Sequence, residues 1–165
     1  MKITEVTKEG LHIIQDLAYR IWPSTYGAIL SKVQLDYMLN MFYDIHFLEI
    51  QMLQKNQTFL LIEENQEYLG FCAYELNHEN SENTKLHKLY VLPKTQGKGV
   101  GKLLLQEVEK IALQNNNNTV LLNVNRFNKA QEFYKYLGYQ TIETVNIEIG
   151  NGYLMEDYVM KKVLK

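Results

Sequence analysis

Gly97, Gly99 and Gly101 put three glycines into five residues. The apolar run Leu89-Tyr90-Val91-Leu92 stands just before them, and a run of helical period starts at Val100. Glycine accepts positive φ and lets the main chain approach a ligand with no Cβ in the way. Inward-turned N–H groups, followed by the unpaired N–H groups and positive dipole end of a helix, make a seat for an anion such as a diphosphate. Lys98 and Lys102 would add positive charge there. Two other phosphate loops do not fit. A P-loop needs Ser or Thr after Gly-Lys and a glycine five positions before that Gly; here Leu103 follows Gly101-Lys102 and Gln96 holds the earlier position. A dinucleotide fingerprint needs a third glycine at 102, which is lysine. A ligand-free glycine turn would also produce such a cluster. The strand before it and the amphipathic helix after it favour phosphate binding.

A second cluster lies downstream, in Asn128-Lys129-Ala130-Gln131-Glu132-Phe133-Tyr134-Lys135-Tyr136-Leu137-Gly138-Tyr139. With it, the chain resembles the GNAT acyltransferase family over about residues 58 to 163. Gln96-x-x-Gly99-x-Gly101 fits the family's pyrophosphate loop, with Leu89-Tyr90-Val91 at the usual distance before it. The downstream run fits the family's Asn, Ala, Phe-Tyr and Gly-aromatic signature. The N-terminal third is more loosely similar to bacterial spermidine/spermine acetyltransferases.

The resemblance implies an N-acetyltransferase that uses acetyl-CoA as cosubstrate and no metal. The coenzyme would wedge between the strand holding Leu89, Tyr90 and Val91 and the parallel strand Val120 to Val124, pairing with the first much as an added strand does. The N–H groups of Gln96, Gly97, Lys98, Gly99, Val100, Gly101 and Lys102 would seat the diphosphate. Asn128 would contact the pantetheine arm, and Asn123 also belongs to the coenzyme set. An amine, of a small molecule (polyamine-like or amino-acid-like) or of a protein, would attack the acetyl carbonyl directly. A main-chain N–H near Tyr90 would hold the oxyanion. Tyr134 would approach the thioester sulfur and protonate the leaving thiolate, its phenol having a pKa of about 10. His87 stands where many family members place a carboxylate base, and could work through a water. Glu156 and Asp157 are rival bases.

Each residue also has a purely structural reading. Tyr134 lies on the apolar stripe of its helix, His87 can be a structural strand histidine, and Asn128 with Gln131 reads as a capping box. Trp22, Tyr26, Tyr37 and Tyr43 suit either an acceptor wall or ordinary core. Glu75, Glu79 and Glu82 make an acidic patch that suits a polyamine or merely a solvated loop. Cys72, the lone cysteine, lies in the apolar run Leu69 to Ala73 and reads as buried and inert.

The elements that must position these groups follow from periodicity. Ile3 to Val6 is a short strand, and Thr7 a cap for a helix over Leu11, Ile14, Leu17, Ala18 and Ile21, a pattern interrupted by Pro23, Ser24 and Gly27. Ser31 caps a helix with Leu35, Met38, Leu39 and Phe42 on one face, and a short helix covers Phe47 to Leu53. Thr58–Glu63, Tyr68–Leu76 and Leu86–Leu92 read as strands, with His78 to Asn83 a loop. Strand alternation puts His87, Leu89 and Val91 on one face and Lys88 and Tyr90 on the other. Val100, Leu103, Leu104, Val108, Ile111 and Ala112 define one face of a helix, Val120–Val124 a strand, and Ala130, Phe133, Tyr134 and Leu137 a helix ended by Gly138. Tyr139–Ile149 and Tyr153–Val163 are the last strands, joined at Gly150-Asn151-Gly152. The expected fold is α/β (α+β): one domain over 1–165, its central mixed, mostly antiparallel twisted sheet of about seven strands flanked by about four helices.

Composition supports this reading. The 165 residues suit one domain. A net charge of -2 with no strongly basic stretch argues against nucleic acid. No apolar run approaches a membrane span and the N-terminus lacks a signal-peptide core, so a cytoplasmic protein is expected. A homodimer is compatible with the family. Two rival functions are a non-catalytic acyl-CoA-binding module and a nucleotide-binding regulatory domain.

Overall fold

The computed structural model describes residues 1–165. The chain runs β1 (Lys2–Glu5), α1 (Leu11–Tyr26), α2 (Lys32–Tyr43), α3 (Ile45–Leu53), β2 (Thr58–Glu64), β3 (Glu67–Glu75) and β4 (Asn83–Val91). There follow α4 (Val100–Gln114), β5 (Thr119–Asn125), α5 (Ala130–Tyr136), β6 (Gln140–Glu148) and β7 (Leu154–Val163). One seven-stranded sheet has the order β1-β2-β3-β4-β5-β7-β6. Every pairing is antiparallel except β4 with β5. The mixed sheet therefore has the expected strand number, and five helices flank it. No helix is long and apolar enough to cross a membrane.

Period-2 alternation sends the two sets of strand side chains into two cores. Phe59, Leu61, Phe71 and Ala73 join Leu11, Ile14, Leu17, Trp22, Leu39, Tyr43 and Leu48 under α1–α3. Leu60, Ile62, Cys72, Tyr74, Leu122 and Met160 join Val100, Leu104, Val108 and Tyr134 under α4 and α5. Cys72 is fully buried, and burial pushes its thiol pKa up, which makes it unreactive.

Two local expectations change. First, α1 does not stop before Pro23 but runs on to Tyr26. Proline loses the bond to the Tyr19 carbonyl and its ring crowds that carbonyl, yet the helix continues for one more turn and ends at Gly27. Second, Thr7 makes no side-chain cap, and a short 3-10 turn at Lys8–Gly10 leads into α1. Ser31 does cap α2, accepting from the Gln34 amide at 3.2 Å. Asp44 does the same for α3 through the His46 amide at 3.0 Å.

Candidate active site

The parallel pair β4–β5 holds the central feature. It is in register from Asn83↔Thr119 to Leu86↔Leu122 and then stops. Both strands continue, β4 to Val91 and β5 to Asn125. Leu89, Tyr90 and Val91 remain paired on their other side with Cys72, Phe71 and Gly70. Their edge toward β5 is open, so the sheet parts into a gap with free main chain on one wall.

A β-bulge marks the start of the gap. Ala73 pairs with Lys88 and Tyr74 with Leu86, which leaves His87 as the extra residue. A bulge increases local twist and re-aims side chains. It also corrects the expected alternation: His87 joins Lys88 and Tyr90 as lining of one cleft, while Leu89 and Val91 pack toward α4.

The glycine loop lies at the end of β4. A 3-10 turn at Pro93–Thr95 consumes two of the amides expected to be free: Gln96 donates to the Pro93 carbonyl (3.2 Å) and Lys98 to Thr95 (3.1 Å). The amides of Gly97, Gly99, Val100, Gly101 and Lys102 have no main-chain acceptor, and the ladder of α4 begins with Leu103 bonding Gly99 at 3.0 Å. Gly97 and Gly99 have φ of 81° and 78°, and a Cβ on either would point into open space. Their role is therefore conformational. The free amides and the helix dipole make an anion seat at the mouth of the gap. Lys98 and Lys102 stand exposed beside it.

Across β4 lies a cleft of about 670 Å³. Trp22, Tyr26, Met38, Phe42 and Tyr43 form its apolar wall; Lys85, His87, Lys88, Tyr90, Asn123 and Asp157 line the sheet side. The Tyr26 and Tyr90 hydroxyls meet at 2.8 Å. Tyr37 is not part of this wall; its hydroxyl donates to the Ile149 carbonyl at 2.7 Å and ties α2 to the β6–β7 turn.

These features coincide with a family match. The acetyltransferase (GNAT) domain matches residues 30–162. The chain belongs to the GNAT acetyltransferase family. An uncharacterized N-acetyltransferase of Methanocaldococcus jannaschii is 34% identical over 92 residues, which is 53% of this chain and 41% of that relative. The match thus spans about two fifths of that relative's length. The PaiA N-acetyltransferase of Thermoplasma acidophilum, solved with coenzyme A, superposes with a TM-score of 0.80 over 98% of both chains at 24% identity. A GCN5-related N-acetyltransferase of Rhodopseudomonas palustris gives 0.83 at 18% identity, over 99% of this chain and 95% of that one.

Within this GNAT fold the expected site residues separate into two groups. Tyr134 is 7% exposed, packed edge-on to Phe133 and Tyr139. Burial, and then the nearby Tyr26 phenol, raise its pKa, so it is protonated at neutral pH. Asn128 stands one residue before the N-cap of α5, Lys129, and its Oδ1 accepts from the amide of the first helical residue, Ala130, at 2.9 Å. The capping box is not reciprocal: the Gln131 side chain donates to the Arg126 carbonyl at 2.9 Å, and the Asn128 amide goes to Asn125. The bond from Ala130 occupies the Asn128 side-chain oxygen, and the rest of the carboxamide lies within hydrogen-bonding reach of the Tyr26 phenol. Asn123 instead faces the cleft across β4, accepting from Lys85 and donating to Asp157 (3.5 Å).

His87 Nε2 lies 2.9 Å from Glu75 Oε1, and His78 Nδ1 lies 3.1 Å from the same oxygen. This trio has metal-ligand chemistry, all three atoms lying within 4.8 Å of one another, yet hydrogen bonds within it satisfy the carboxylate oxygen. Burial drives the His87 pKa down to about 4, against the opposing pull of Glu75. The acidic patch is thereby divided: Glu75 serves the two histidines, Glu79 is exposed, and Glu82 accepts from Asn118 at 3.2 Å. Sequence reading missed Gln51, Gln57 and the binding potential of Lys85 and Lys88. The available signal was two lysines in an otherwise core-forming strand.

Proposed function

We propose that this chain is an acetyl-CoA-dependent N-acetyltransferase acting on a primary amine of a small molecule or protein. The observation that carries the reading is the ended β4–β5 pairing, which opens a main-chain edge directly beside a loop of free amides. A coenzyme diphosphate fits the amides of Gly97 and Gly99 to Lys102, and its amide-bearing arm fits the open edge of Leu89 to Val91. The thioester then lies between the acceptor cleft and α5.

The neutral amine attacks the acetyl carbonyl carbon from the cleft side. A main-chain N–H near Tyr90 stabilises the oxyanion. As the tetrahedral intermediate collapses, the C–S bond breaks and Tyr134 gives its proton to the sulfur. The excess proton on nitrogen passes through water to His87, whose burial keeps the ring neutral before the reaction but weakens it as a base, so that acceptance relies on the Glu75 carboxylate beside it. Glu75 behind it fixes the ring and stabilises the transient imidazolium.

The test is thiol release from acetyl-CoA across a panel of primary amines, with wild type and Tyr134→Phe. Loss of a positioned acid predicts a fall in kcat of about 10²–10⁴-fold with coenzyme affinity kept within about twofold. Indifference to the substitution, or coenzyme binding without turnover of any amine, would instead support a non-catalytic acyl-CoA-binding module.

A further inference from the structure

The acceptor cleft carries charge that acetyl transfer does not need. Lys55, Lys85 and Lys88 line it against one carboxylate, Asp157. Lys85 is partly offset, bonded to Asn123 and close to Asp157. Lys88 is not. It is 9% exposed, and no carboxylate forms an ion pair with it. Its ammonium donates to Gln51 Oε1 at 2.7 Å and Gln57 Oε1 at 3.2 Å, and lies 5.8 Å from the Tyr43 ring centroid and 5.5 Å from that of Phe59. The Gln51 amide nitrogen is committed to the Phe42 carbonyl at 3.0 Å, which fixes its oxygen toward Lys88.

A buried ammonium without a counter-charge is costly even after relaxation. Burial alone accordingly brings Lys88 down to about 7. Yet the fold holds this side chain in place with two carboxamide oxygens, and strand alternation sets it on the same face as Tyr90. Lys88 and Tyr90 are two residues apart on one strand face, roughly 6.6 Å. A single amino acid spans that distance together with the lysine side chain. The remaining wall is chiefly apolar and aromatic.

We infer that the acceptor is a primary amine that also carries a carboxylate, with Lys88 seating the carboxylate and the wall of Trp22, Met38, Phe42 and Tyr43 taking an apolar side group. This rests on the transferase reading above. A polyamine is a poor fit, because its second cation would meet Lys85 and Lys88, and the one carboxylate of the cleft, Asp157, already lies beside Lys85 and Asn123.

The test pairs acceptors that differ only in the acid group: phenylalanine with phenethylamine, leucine with isoamylamine and 4-aminobutanoate with butylamine, plus spermidine. Acetyl-CoA thiol release is measured with wild type and Lys88→Met. Breaking a buried charge pair predicts that wild type prefers the carboxylated member of at least one pair by about 30-fold or more in kcat/KM. In Lys88→Met that ratio collapses toward one, with coenzyme A titration and a thermal melt confirming a folded protein. If Lys88→Met does not fold, the wild-type ratios alone decide. Equal rates within every pair, a preference for spermidine, or a ratio unchanged in folded Lys88→Met would overturn the inference while leaving the transferase reading intact. Absence of turnover with every amine would overturn both.

Discussion

Gly99→Ala separates backbone strain from ligand contact at the glycine loop. Gly99 has φ 78° and ψ 10°, and an added Cβ meets nothing within 4 Å. The folded protein therefore loses no packing; the substitution costs about 1–2 kcal/mol for a left-handed alanine. For a chain of this length each kcal/mol lowers Tm by about 2–4 °C, so a drop of roughly 2–8 °C is expected. Binding should suffer separately. The empty space around that Cβ adjoins the unpaired amides of Gly99 to Lys102, where the diphosphate is placed. Losing one charge-assisted N–H contact is worth about 1.5–3 kcal/mol, or roughly 10- to 150-fold in Kd for coenzyme A by calorimetry. A Tm shift of this size with unchanged coenzyme affinity would refute the placement of the diphosphate.

Two further substitutions probe the supports of the site. Gly70→Ala would bring a Cβ to 2.7 Å from the Tyr90 carbonyl oxygen and 2.9 Å from Val91 Cγ1, so β4 must shift. Urea unfolding should show a loss of about 1–3 kcal/mol, with weakened coenzyme affinity because the open edge of Leu89–Val91 moves too; wild-type stability would contradict this. Asn117→Ala removes a fully buried carboxamide whose oxygen accepts from the Asn77 amide and the Thr84 hydroxyl, both at 2.9 Å. Leaving those donors unsatisfied should cost about 2–4 kcal/mol in the same assay, and a loss below 1 kcal/mol would show that water replaces the side chain.

Local periodicity reveals most of this fold. The switch from period 3.6 to period 2 after Leu53, and back at Val100, locates helices and strands within a few residues, because each element buries one face or two. The glycine loop is legible for a different reason: positive φ at Gly97 and Gly99 admits few other residues. The bulge at His87 is not legible, since one extra residue in a strand leaves composition unchanged while reversing which face follows. Pro23 misleads because proline's effect depends on its distance from the helix end, which sequence alone does not show. The acceptor cleft is the least legible part. Gln51, Gln57, Lys88 and Asp157 come from α3, the segment before β2, β4 and β7, and only the β5-β7-β6 strand order brings Asp157 near Lys85.

The central claim is most directly tested by residue-resolved amide spectroscopy of the ¹⁵N-labelled protein during titration with coenzyme A. The account predicts that the amides of Gly97, Gly99, Val100, Gly101 and Lys102 shift most and gain protection from exchange, together with those of Leu89 to Val91. Largest changes around Asn77 to Asn80, or equal changes with ATP in place of coenzyme A, would contradict it.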